Sequence, residues 1–453
     1  MLKLKGNALV GQSGGPTSVI NSSLCGVIQQ AMKSKLIDKV YGMSYGIAGF
    51  MNDEVIDLGA EKRDVIEGLR RTPGSALGST RHKVKEEDFP RIIEQLKKYN
   101  IRYFFLCGGN DTMDTIHRVE AKCREVGWEL KGIGVPKTVD NDLFCTDHTP
   151  GFASAANYVV TSVQQGGRLA CDMQRVDQYV IYQTVGRDAG WLAASSIGAK
   201  VNPDDAPHIV LVPERPVSKA AFLAKVKEVQ ARVGWCSIVV GEGARWSDGT
   251  YISAPEVKDE HNNPELGAMG GTSAAMNLHK FIAKETGWRG EFQIVESLAM
   301  CAIDRASKVD LEEAYQCGVE AVKLAEKGKT GLMVTIRRKA SKHYKVEYGS
   351  APLSKVAVDA KPMPDDYMEA DGMFPSKKFV SYITPLLNPP AKFSVFRRVK
   401  AKPHVEKISL KQAAAERKAA RSAAQAAAEA KRPARAAKKS AAKKPAAKKS
   451  SKK

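Results

Sequence analysis

The chain lacks the segments that would place it in or across a membrane. Its 453 residues contain no apolar run approaching the roughly 20 residues of a membrane helix, because the longest apolar stretches are strand-sized and interrupted by charge. The first residues, Met1 to Gly6, lead into a short apolar stretch and lack the longer apolar region of a signal peptide. We therefore expect a cytoplasmic protein with no membrane partner.

Paired cysteines are also missing from the sequence. The eight cysteines are scattered without any C-x-x-C pair, and several lie inside apolar runs, where a thiol packs as a small hydrophobic group. This pattern favours neither a disulfide framework nor a structural zinc site.

Acidic residues are scarce in one part of the chain, the C-terminal tail. Residues 401–453 contain 17 Lys and Arg against three Glu, a net of +14 out of +20, which leaves +6 for residues 1–400. Lysine pairs spaced by alanine and proline indicate a disordered polycation that contacts nucleic acid or other polyanions without sequence preference. Composition alone slightly favours a solvated tail with incidental anion binding over a dedicated nucleic-acid function.

The rest of the chain alternates apolar runs of strand length with stretches of helical periodicity. The strand-like runs are Ala8 to Val10, Tyr103 to Cys107, Lys131 to Val135, Tyr179 to Thr184, Ile209 to Val212, Cys236 to Gly241, Phe292 to Val295 and Gly331 to Ile336. The helix-like stretches are Val19 to Met32, Phe89 to Lys98, Asp114 to Val126, Phe152 to Gln165, Ala220 to Val233, Ser273 to Glu285 and Leu311 to Glu326. This order predicts an α/β fold with two doubly wound parallel-sheet domains and the active site in the cleft between them.

The same pattern predicts where the domains begin and end. We expect a phosphoryl-donor domain over residues 1–150 and a sugar-phosphate domain over residues 151–340, with some exchange of chain between them. Six prolines between residues 362 and 390 predict an irregular, wrapping segment over residues 341–400. Residues 401–453 form the low-complexity tail, in which Gln412 to Ala430 has high helix propensity.

Two loops that follow consecutive strand-like runs carry polar groups. One reads Pro136-Lys137-Thr138-Val139-Asp140-Asn141-Asp142, and the other reads Gly108-Gly109-Asn110-Asp111-Thr112. Loops at the carboxyl ends of adjacent parallel strands face one cleft, so we expect glycines, a lysine and carboxylates to meet there. Phosphoryl transfer uses these groups, since amides and lysine bind phosphate, and carboxylates bind Mg²⁺ or take a proton.

Two further loops are rich in glycine. The first strand ends in Gly11-Gln12-Ser13-Gly14-Gly15-Pro16-Thr17-Ser18, and a later loop reads Pro73-Gly74-Ser75-Ala76-Leu77-Gly78-Ser79-Thr80-Arg81. Glycines between a strand and a helix expose backbone amides to an anion, and arginine suits phosphate. Read singly, each loop also fits a plain turn.

Taken together, these segments resemble the phosphofructokinase family in order and spacing over about residues 5–340. Two more segments share the resemblance, Val185-Gly186-Arg187-Asp188-Ala189-Gly190-Trp191 and the glutamate of Val240-Gly241-Glu242-Gly243. Within that family, users of ATP have glycine at the positions of Asp111 and Lys137, whereas users of pyrophosphate have Asp and Lys. The resemblance therefore implies pyrophosphate as donor, held by Gly14, Gly15, Arg81 and Lys137.

The resemblance also implies roles on the acceptor side. Asp140 becomes the general base for the 1-hydroxyl of fructose 6-phosphate, Asp142 supports it, and Arg187 steadies the transferred group. Asn110 stands where many relatives have an aspartate linked to Mg²⁺. The sugar pocket is lined by Thr138, Val139, Val185, Gly186 and Glu242. Members complete their site across subunits, which implies a homo-oligomer.

The sequence departs from the family where the 6-phosphate of the sugar binds. Met300 stands where relatives carry the arginine of a Gln-Arg pair, and Gln178 maps close to an arginine that reaches a neighbouring subunit. Two alternatives therefore stay open. One keeps pyrophosphate but changes the acceptor, for example to sedoheptulose 7-phosphate. The other is a catalytically weak paralogue that binds polyanions through its tail.

Overall fold

The structure is a computed structural model that describes residues 4–254, 266, 271–357, 360–394, 396, 400–401 and 410–430. The chain divides into two compact units, Met1–Lys392 and Phe393–Lys453. Both β-sheets belong to the first unit.

The described strands build two sheets. In chain order they are β1 (Gly6–Gln12), β2 (Ile37–Met43), β3 (Val55–Asp57), β4 (Ile101–Gly108), β5 (Lys131–Pro136), β6 (Tyr179–Thr184), β7 (Ile209–Leu211), β8 (Cys236–Gly241), β9 (Gly290–Ile294), β10 (Leu332–Arg338) and β11 (Val346–Pro352). The first sheet has the order β11-β10-β5-β4-β1-β2-β3, and the second has the order β7-β8-β6-β9.

Parallel pairing dominates both sheets, which confirms the predicted α/β fold with two parallel-sheet domains. In the first sheet, β10, β5, β4, β1 and β2 run parallel, while β3 and β11 are antiparallel edge strands. All strands of the second sheet are parallel. Parallel strands need helical crossovers, and the helices supply them.

The helices fall between the strands, as the periodicity predicts. In chain order they are α1 (Ile20–Lys33), α2 (Gly46–Met51), α3 (Arg63–Gly68), α4 (Phe89–Lys98), α5 (Asn110–Glu125), α6 (Phe152–Met173), α7 (Trp191–Ser195), α8 (Lys219–Val233), α9 (Ala274–Thr286), α10 (Glu296–Cys301), α11 (Lys308–Glu326), α12 (Lys377–Ile383) and α13 (Leu410–Ala430). In the part of the chain that the structure describes, none is long and apolar enough to cross a membrane.

The core explains why β4 reads as an unbroken apolar run. Its side chains alternate between two buried clusters, with Tyr103 and Phe105 on one face of the sheet and Phe104 and Leu106 on the other. A central parallel strand covered on both faces has no solvent side, so polar alternation is absent. The loop after β4 is therefore held on a rigid base.

The C-terminal portion is more regular than expected. The segment predicted to be irregular contains β11, which pairs with β10 at the edge of the first sheet, and helix α12. The prediction of a disordered tail is wrong for Leu410–Ala430, because alanine, arginine, lysine and glutamate form helix α13 there. The remainder of the tail, residues 431–453, lies outside the described residues, and the proposed domain boundaries stay predictions.

Candidate active site

Most of the predicted site residues follow the carboxyl ends of five strands, whereas Arg81 lies between α3 and α4. In the first sheet, Gly14 and Gly15 follow β1, Asn110 and Asp111 follow β4, and the loop from Lys137 to Asp142 follows β5. In the second sheet, Arg187 follows β6 and Glu242 follows β8. Ligands of parallel α/β sheets bind beyond this edge.

The two glycine-rich loops contact each other. The amide of Gly14 donates to Thr80 O over 3.1 Å, and Ser79 Oγ donates to Gly14 O over 2.6 Å. Gly14 has a φ of +76°, and a Cβ added there would lie 3.1 Å from Lys137 Nζ. A side chain at position 14 would therefore be strained and would crowd the lysine.

Lys137 connects the β5 loop to the glycine loop. Its side chain is buried, and Nζ donates to Gly15 O over 2.8 Å. Burial lowers the pKa of Lys137 to about 8, Asp140 opposes that shift, and the positive charge of Arg81 adds to it. Lys137 and Arg81 thus act on the same space beside the glycines. An entering polyanion would stabilise the charged ammonium.

Asn141 fixes the shape of the loop that carries Asp140. It has a φ of +57°, a left-handed conformation that asparagine tolerates better than most residues. Its Nδ2 donates to Tyr382 Oη over 2.9 Å, and its Oδ1 accepts from Thr149 N over 3.0 Å. The amide of Asp140 donates to Thr138 Oγ1 over 3.1 Å. These bonds leave the Asp140 carboxylate as the group that the loop presents.

Asp140 has the properties of a general base. Its Oδ1 is enclosed and has no hydrogen-bond partner among the described residues. Burial raises the pKa of Asp140, and the negative charges of Asp142 and Glu242 raise it further, while Lys137 opposes them. Burial also raises the pKa of Asp142, against a hydrogen bond with Thr138. Desolvated carboxylates that share a site bind a proton more tightly than in water.

The Arg187 loop and the Glu242 loop pack directly on one another. Glu242 Oε1 accepts from Gly186 N over 3.1 Å, and a Cβ added at Gly243 would lie 1.7 Å from Arg187 O. Burial raises the pKa of Glu242 to about 7, the charge of Glu296 adds to that shift, and Arg187 opposes it. Glu242 therefore faces the same space as Asp140 and Arg187.

Apolar residues close the acceptor side. Val139 belongs to the buried cluster of the second sheet, and Val185 and Met300 pack against that cluster. Met300 also approaches the loop of Gly14 and Gly15, since a Cβ added at Gly15 would lie 2.6 Å from Met300 Cε. Ser18 Oγ donates to Met300 O over 3.2 Å. Met300 thus lies beside the loop that contains Gly14 and Gly15.

Sequence reasoning missed Glu296, which lies at the carboxyl end of β9. Its side chain is buried, and Oε1 accepts from Gln183 Nε2. Its charge acts on Glu242, so two carboxylates lie close together on the acceptor side. The available signal was its place directly after a parallel strand. Acids that lie close together in a cleft are candidates for functional residues.

Two oxygen-bearing side chains, those of Asn110 and Asp111, lie at the start of α5. Asn110 Oδ1 is enclosed and has no partner among the described residues. The Asp111 side chain is 78% exposed, and its carboxylate lies 3.7 Å from Lys83 Nζ. The described residues contain no cluster of three or more His, Cys, Asp or Glu that could hold a metal. This set fits Mg²⁺, which takes few protein ligands and completes its shell with phosphate and water.

Known proteins resemble this chain over most of its length. The pyrophosphate--fructose 6-phosphate 1-phosphotransferase of Xanthomonas campestris is 39% identical and covers 84% of this chain and 91% of its own. The sulfofructose kinase of Alkalicoccus urumqiensis is 33% identical, over 80% of this chain and 91% of its own.

Structural similarity leads to the same group of proteins. The crystal structure of a pyrophosphate-dependent phosphofructokinase from Nitrosospira multiformis superposes with a TM-score of 0.78 at 34% identity, covering 87% of this chain and 95% of that one. The phosphofructokinase family model matches residues 7–325, which include the five loops of the site. The chain belongs to the phosphofructokinase family.

Proposed function

We propose that the protein is a pyrophosphate-dependent phosphofructokinase. It transfers a phosphoryl group from pyrophosphate to the 1-hydroxyl of fructose 6-phosphate, giving fructose 1,6-bisphosphate and phosphate, as a reversible step of glycolysis in the cytoplasm. The observation that carries this proposal is the buried ammonium of Lys137, bonded to Gly15 and facing the carboxylate of Asp140. The names of the relatives with this activity support it.

The donor side is built for pyrophosphate. Amides of the glycine loop and the charges of Lys137 and Arg81 meet the phosphate oxygens, and Asp111 stands at the outer edge, where a nucleoside would extend. Lys137 offsets the charge that develops as the bridging P–O bond breaks. Because the bond to Gly15 O already holds Lys137 Nζ beside the glycine loop, the side chain needs little movement when pyrophosphate binds.

Asp140 performs the acid-base step. Its carboxylate takes the proton of the 1-hydroxyl as that oxygen bonds to the terminal phosphorus of pyrophosphate. The bridging oxygen leaves with inorganic phosphate, so one P–O bond forms and one breaks. A raised pKa suits this role, because a stronger base draws the proton more effectively once it is ionised. Arg187 steadies the three oxygens of the group in transit.

Asn110 and Asp111 are the protein groups placed to hold Mg²⁺. When bound, the cation neutralises the pyrophosphate oxygens and orients them for in-line transfer. Asn110 contributes an amide oxygen, which is neutral, so most of the charge that attracts the metal comes from pyrophosphate itself. Asp111 is exposed and can turn towards it.

Thr138, Val139, Val185, Gly186 and Glu242 form the sugar pocket. One carboxylate oxygen of Glu242 accepts a hydrogen bond from the amide of Gly186, and the other oxygen serves a sugar hydroxyl. A different sugar acceptor is the second candidate, and the observation that favours it is Met300, which offers no charge to a 6-phosphate. Two other acceptors are worth comparing. One is sedoheptulose 7-phosphate, the alternative from the sequence, and the other is sulfofructose, from the name of the sulfofructose kinase among the relatives.

The assembly and the tail complete the proposal. The protein forms a homo-oligomer, as expected of a family that completes its site across subunits. The basic residues of 401–453 contact nucleic acid or other polyanions through charge alone, without a role in catalysis.

The acceptor is tested by following phosphorus-31 signals of purified protein with pyrophosphate and one sugar at a time. The sugars are fructose 6-phosphate, sedoheptulose 7-phosphate and 6-deoxy-6-sulfofructose, and Asp140→Asn serves as the matched inactive control. Formation of fructose 1,6-bisphosphate with the highest kcat/KM is expected. A higher kcat/KM for either other sugar would replace the acceptor, and no turnover with any sugar would contradict the proposed enzyme.

A further inference from the structure

Residues 360–388 form a segment that follows β11 and lies outside residues 7–325, the range matched by the family model. We call it the C-terminal segment. It contains α12 and a cluster of aromatic rings, in which Tyr382 packs against Tyr367 and Phe379. Although it is remote in sequence from the site loops, the segment touches two of them.

Tyr382 holds the Asp140 loop through its hydroxyl. The hydroxyl accepts from Asn141 Nδ2 over 2.9 Å and donates to Asp147 O over 3.0 Å. Asn141 is the neighbour of Asp140 and is fully buried, so its amide depends on this partner. Two points of the loop after β5, Asn141 and Asp147, are thus tied to one side chain.

Lys361 holds the same loop further along. Its amide donates to Asp142 O over 2.7 Å, and its Nζ donates to Thr146 O over 3.0 Å. Burial lowers the pKa of Lys361 to about 8, and the charge of Asp142 opposes that shift. A partly buried lysine whose ammonium donates to a loop carbonyl restrains that loop more than a fully solvated lysine would.

The C-terminal segment also reaches the Arg187 loop. The carboxylate of Glu214 accepts from Gly190 N over 2.9 Å and from Met363 N over 2.9 Å, which joins the loop to the segment. Trp191 Nε1 donates to Lys361 O over 3.4 Å, and the Trp191 ring lies 5.4 Å from that of Tyr382. One element therefore sets the separation between the loops of Asp140 and Arg187.

Tyr382 is itself held in place. Its side chain is 8% exposed, Arg338 Nη1 donates to Tyr382 O over 2.6 Å, and the guanidinium lies 4.2 Å from the ring centre. A side chain fixed from both sides transmits its position to the groups it bonds.

We infer that Tyr382 and Lys361 are positioning residues for phosphoryl transfer, and that the C-terminal segment fixes the geometry between Asp140 and Arg187. This inference rests on the proposed function. A purely structural role would lower the amount of folded protein, whereas a positioning role lowers kcat of the protein that folds.

The test compares Tyr382→Phe with Tyr367→Phe. The second variant removes a hydroxyl from the same aromatic cluster, but among the described residues this hydroxyl makes no hydrogen bond to the site loops. Tyr382→Phe is expected to lower kcat by about 10- to 100-fold while the KM for pyrophosphate changes by less than about threefold. Tyr367→Phe is expected to keep the kcat of the parent. Lys361→Met and its exposed control Lys378→Met form the second pair. Lys361→Met is expected to lower kcat, and Lys378→Met is expected to keep the kcat of the parent.

A double-mutant cycle isolates the bond to the loop. Asn141→Gly keeps a residue that accepts the left-handed conformation but lacks the amide. In that background Tyr382→Phe should cost only what the bond to Asp147 O contributes, which is less than its full effect in the parent. Losses that multiply fully would show that the two residues do not act through each other and would overturn the inference. A kcat of Tyr382→Phe equal to that of the parent would overturn it as well.

Hydrogen exchange separates this inference from the proposed function. In the resting full-length protein, Tyr382→Phe should speed amide exchange in residues 138–149, with no change in the strands of the second sheet. This readout needs no turnover, so a parent without pyrophosphate activity would contradict the proposed function alone. Unchanged exchange in residues 138–149 would contradict the positioning role alone.

Discussion

The donor and acceptor halves of the site respond to burial in opposite ways. On the donor side, burial lowers the pKa of Lys137 to about 8, beside a glycine loop and a second cation, Arg81. On the acceptor side, burial raises the pKa of both Asp140 and Glu242, and the negative charge of Glu242 raises the pKa of Asp140 further. The same desolvation thus prepares a cation for an incoming polyanion and a carboxylate for an incoming proton.

The largest expected effect is on the acceptor half. Asp140→Asn removes the base but keeps the size of the side chain, so kcat should fall by about 10²–10⁴-fold. Steady-state kinetics with pyrophosphate and fructose 6-phosphate measure this loss. The control is Asp57→Asn, an exposed acid paired with Lys39 at the edge of the first sheet. A folded Asp140→Asn variant with parental kcat would break the comparison.

The same substitution should stabilise the fold at alkaline pH. Because the folded-state pKa of Asp140 is raised, its contribution to stability is present at low pH and is lost as pH rises through that pKa. Asparagine carries no charge to desolvate. The free energy of unfolding of Asp140→Asn should therefore exceed that of the parent by on the order of 1–3 kcal/mol at pH 9 and differ little from it at pH 4. Denaturant titrations at both values measure it, and equal gains would contradict the assignment of burial as the cause.

The next effect concerns the donor half. Lys137→Met keeps the length of the side chain and removes its charge, so turnover with pyrophosphate should fall by about 10²–10³-fold. Lys39→Met is the matched control, because Lys39 is an exposed lysine paired only at the surface. Parental kcat/KM for pyrophosphate in Lys137→Met would show that the buried cation does not serve the donor.

A smaller effect tests whether the acceptor half lacks a cation. Met300→Arg places a charge beside the sugar pocket, and one charge-assisted hydrogen bond should lower the KM for fructose 6-phosphate about tenfold. Met300→Leu, which adds no charge, should leave the KM close to that of the parent. A tight KM in the parent, unimproved by arginine, would mean that another residue already holds the 6-phosphate.

The smallest effect concerns the tail. Deleting Ala401 onward should leave kcat and KM unchanged, since the site loops all belong to the unit Met1–Lys392. Binding to nucleic acid in the full chain should weaken steeply with salt and disappear in the truncated one. Nucleic-acid binding that survives the deletion would place the basic surface in the enzyme body.

Local rules predict the parts of the site that follow strands. The unbroken apolar runs of β4 and β5 indicate central parallel strands, and the loops after them carry Asn110, Lys137 and Asp140. Such groups meet at one edge because parallel strands end together. The order of the motifs therefore predicts that the donor and acceptor residues meet in one cleft.

Contacts between distant segments could not be predicted in this way. The bond from Asn141 to Tyr382 spans 241 residues, and the pair of Glu214 with Met363 joins elements with no common pattern. β2, β3 and β11, which lie at or next to the edges of the first sheet, were missed because their charged, partly exposed residues lack the apolar run of a central strand. Edge and wrapping elements depend on tertiary packing, which local periodicity does not record.

The central claim is that Asp111 and the buried Lys137 select pyrophosphate, and donor discrimination tests it most directly. Purified full-length protein is supplied with fructose 6-phosphate, Mg²⁺ and either pyrophosphate or ATP, and fructose 1,6-bisphosphate is quantified. We predict turnover with pyrophosphate and none above background with ATP. Turnover with ATP at a comparable kcat/KM would contradict the account.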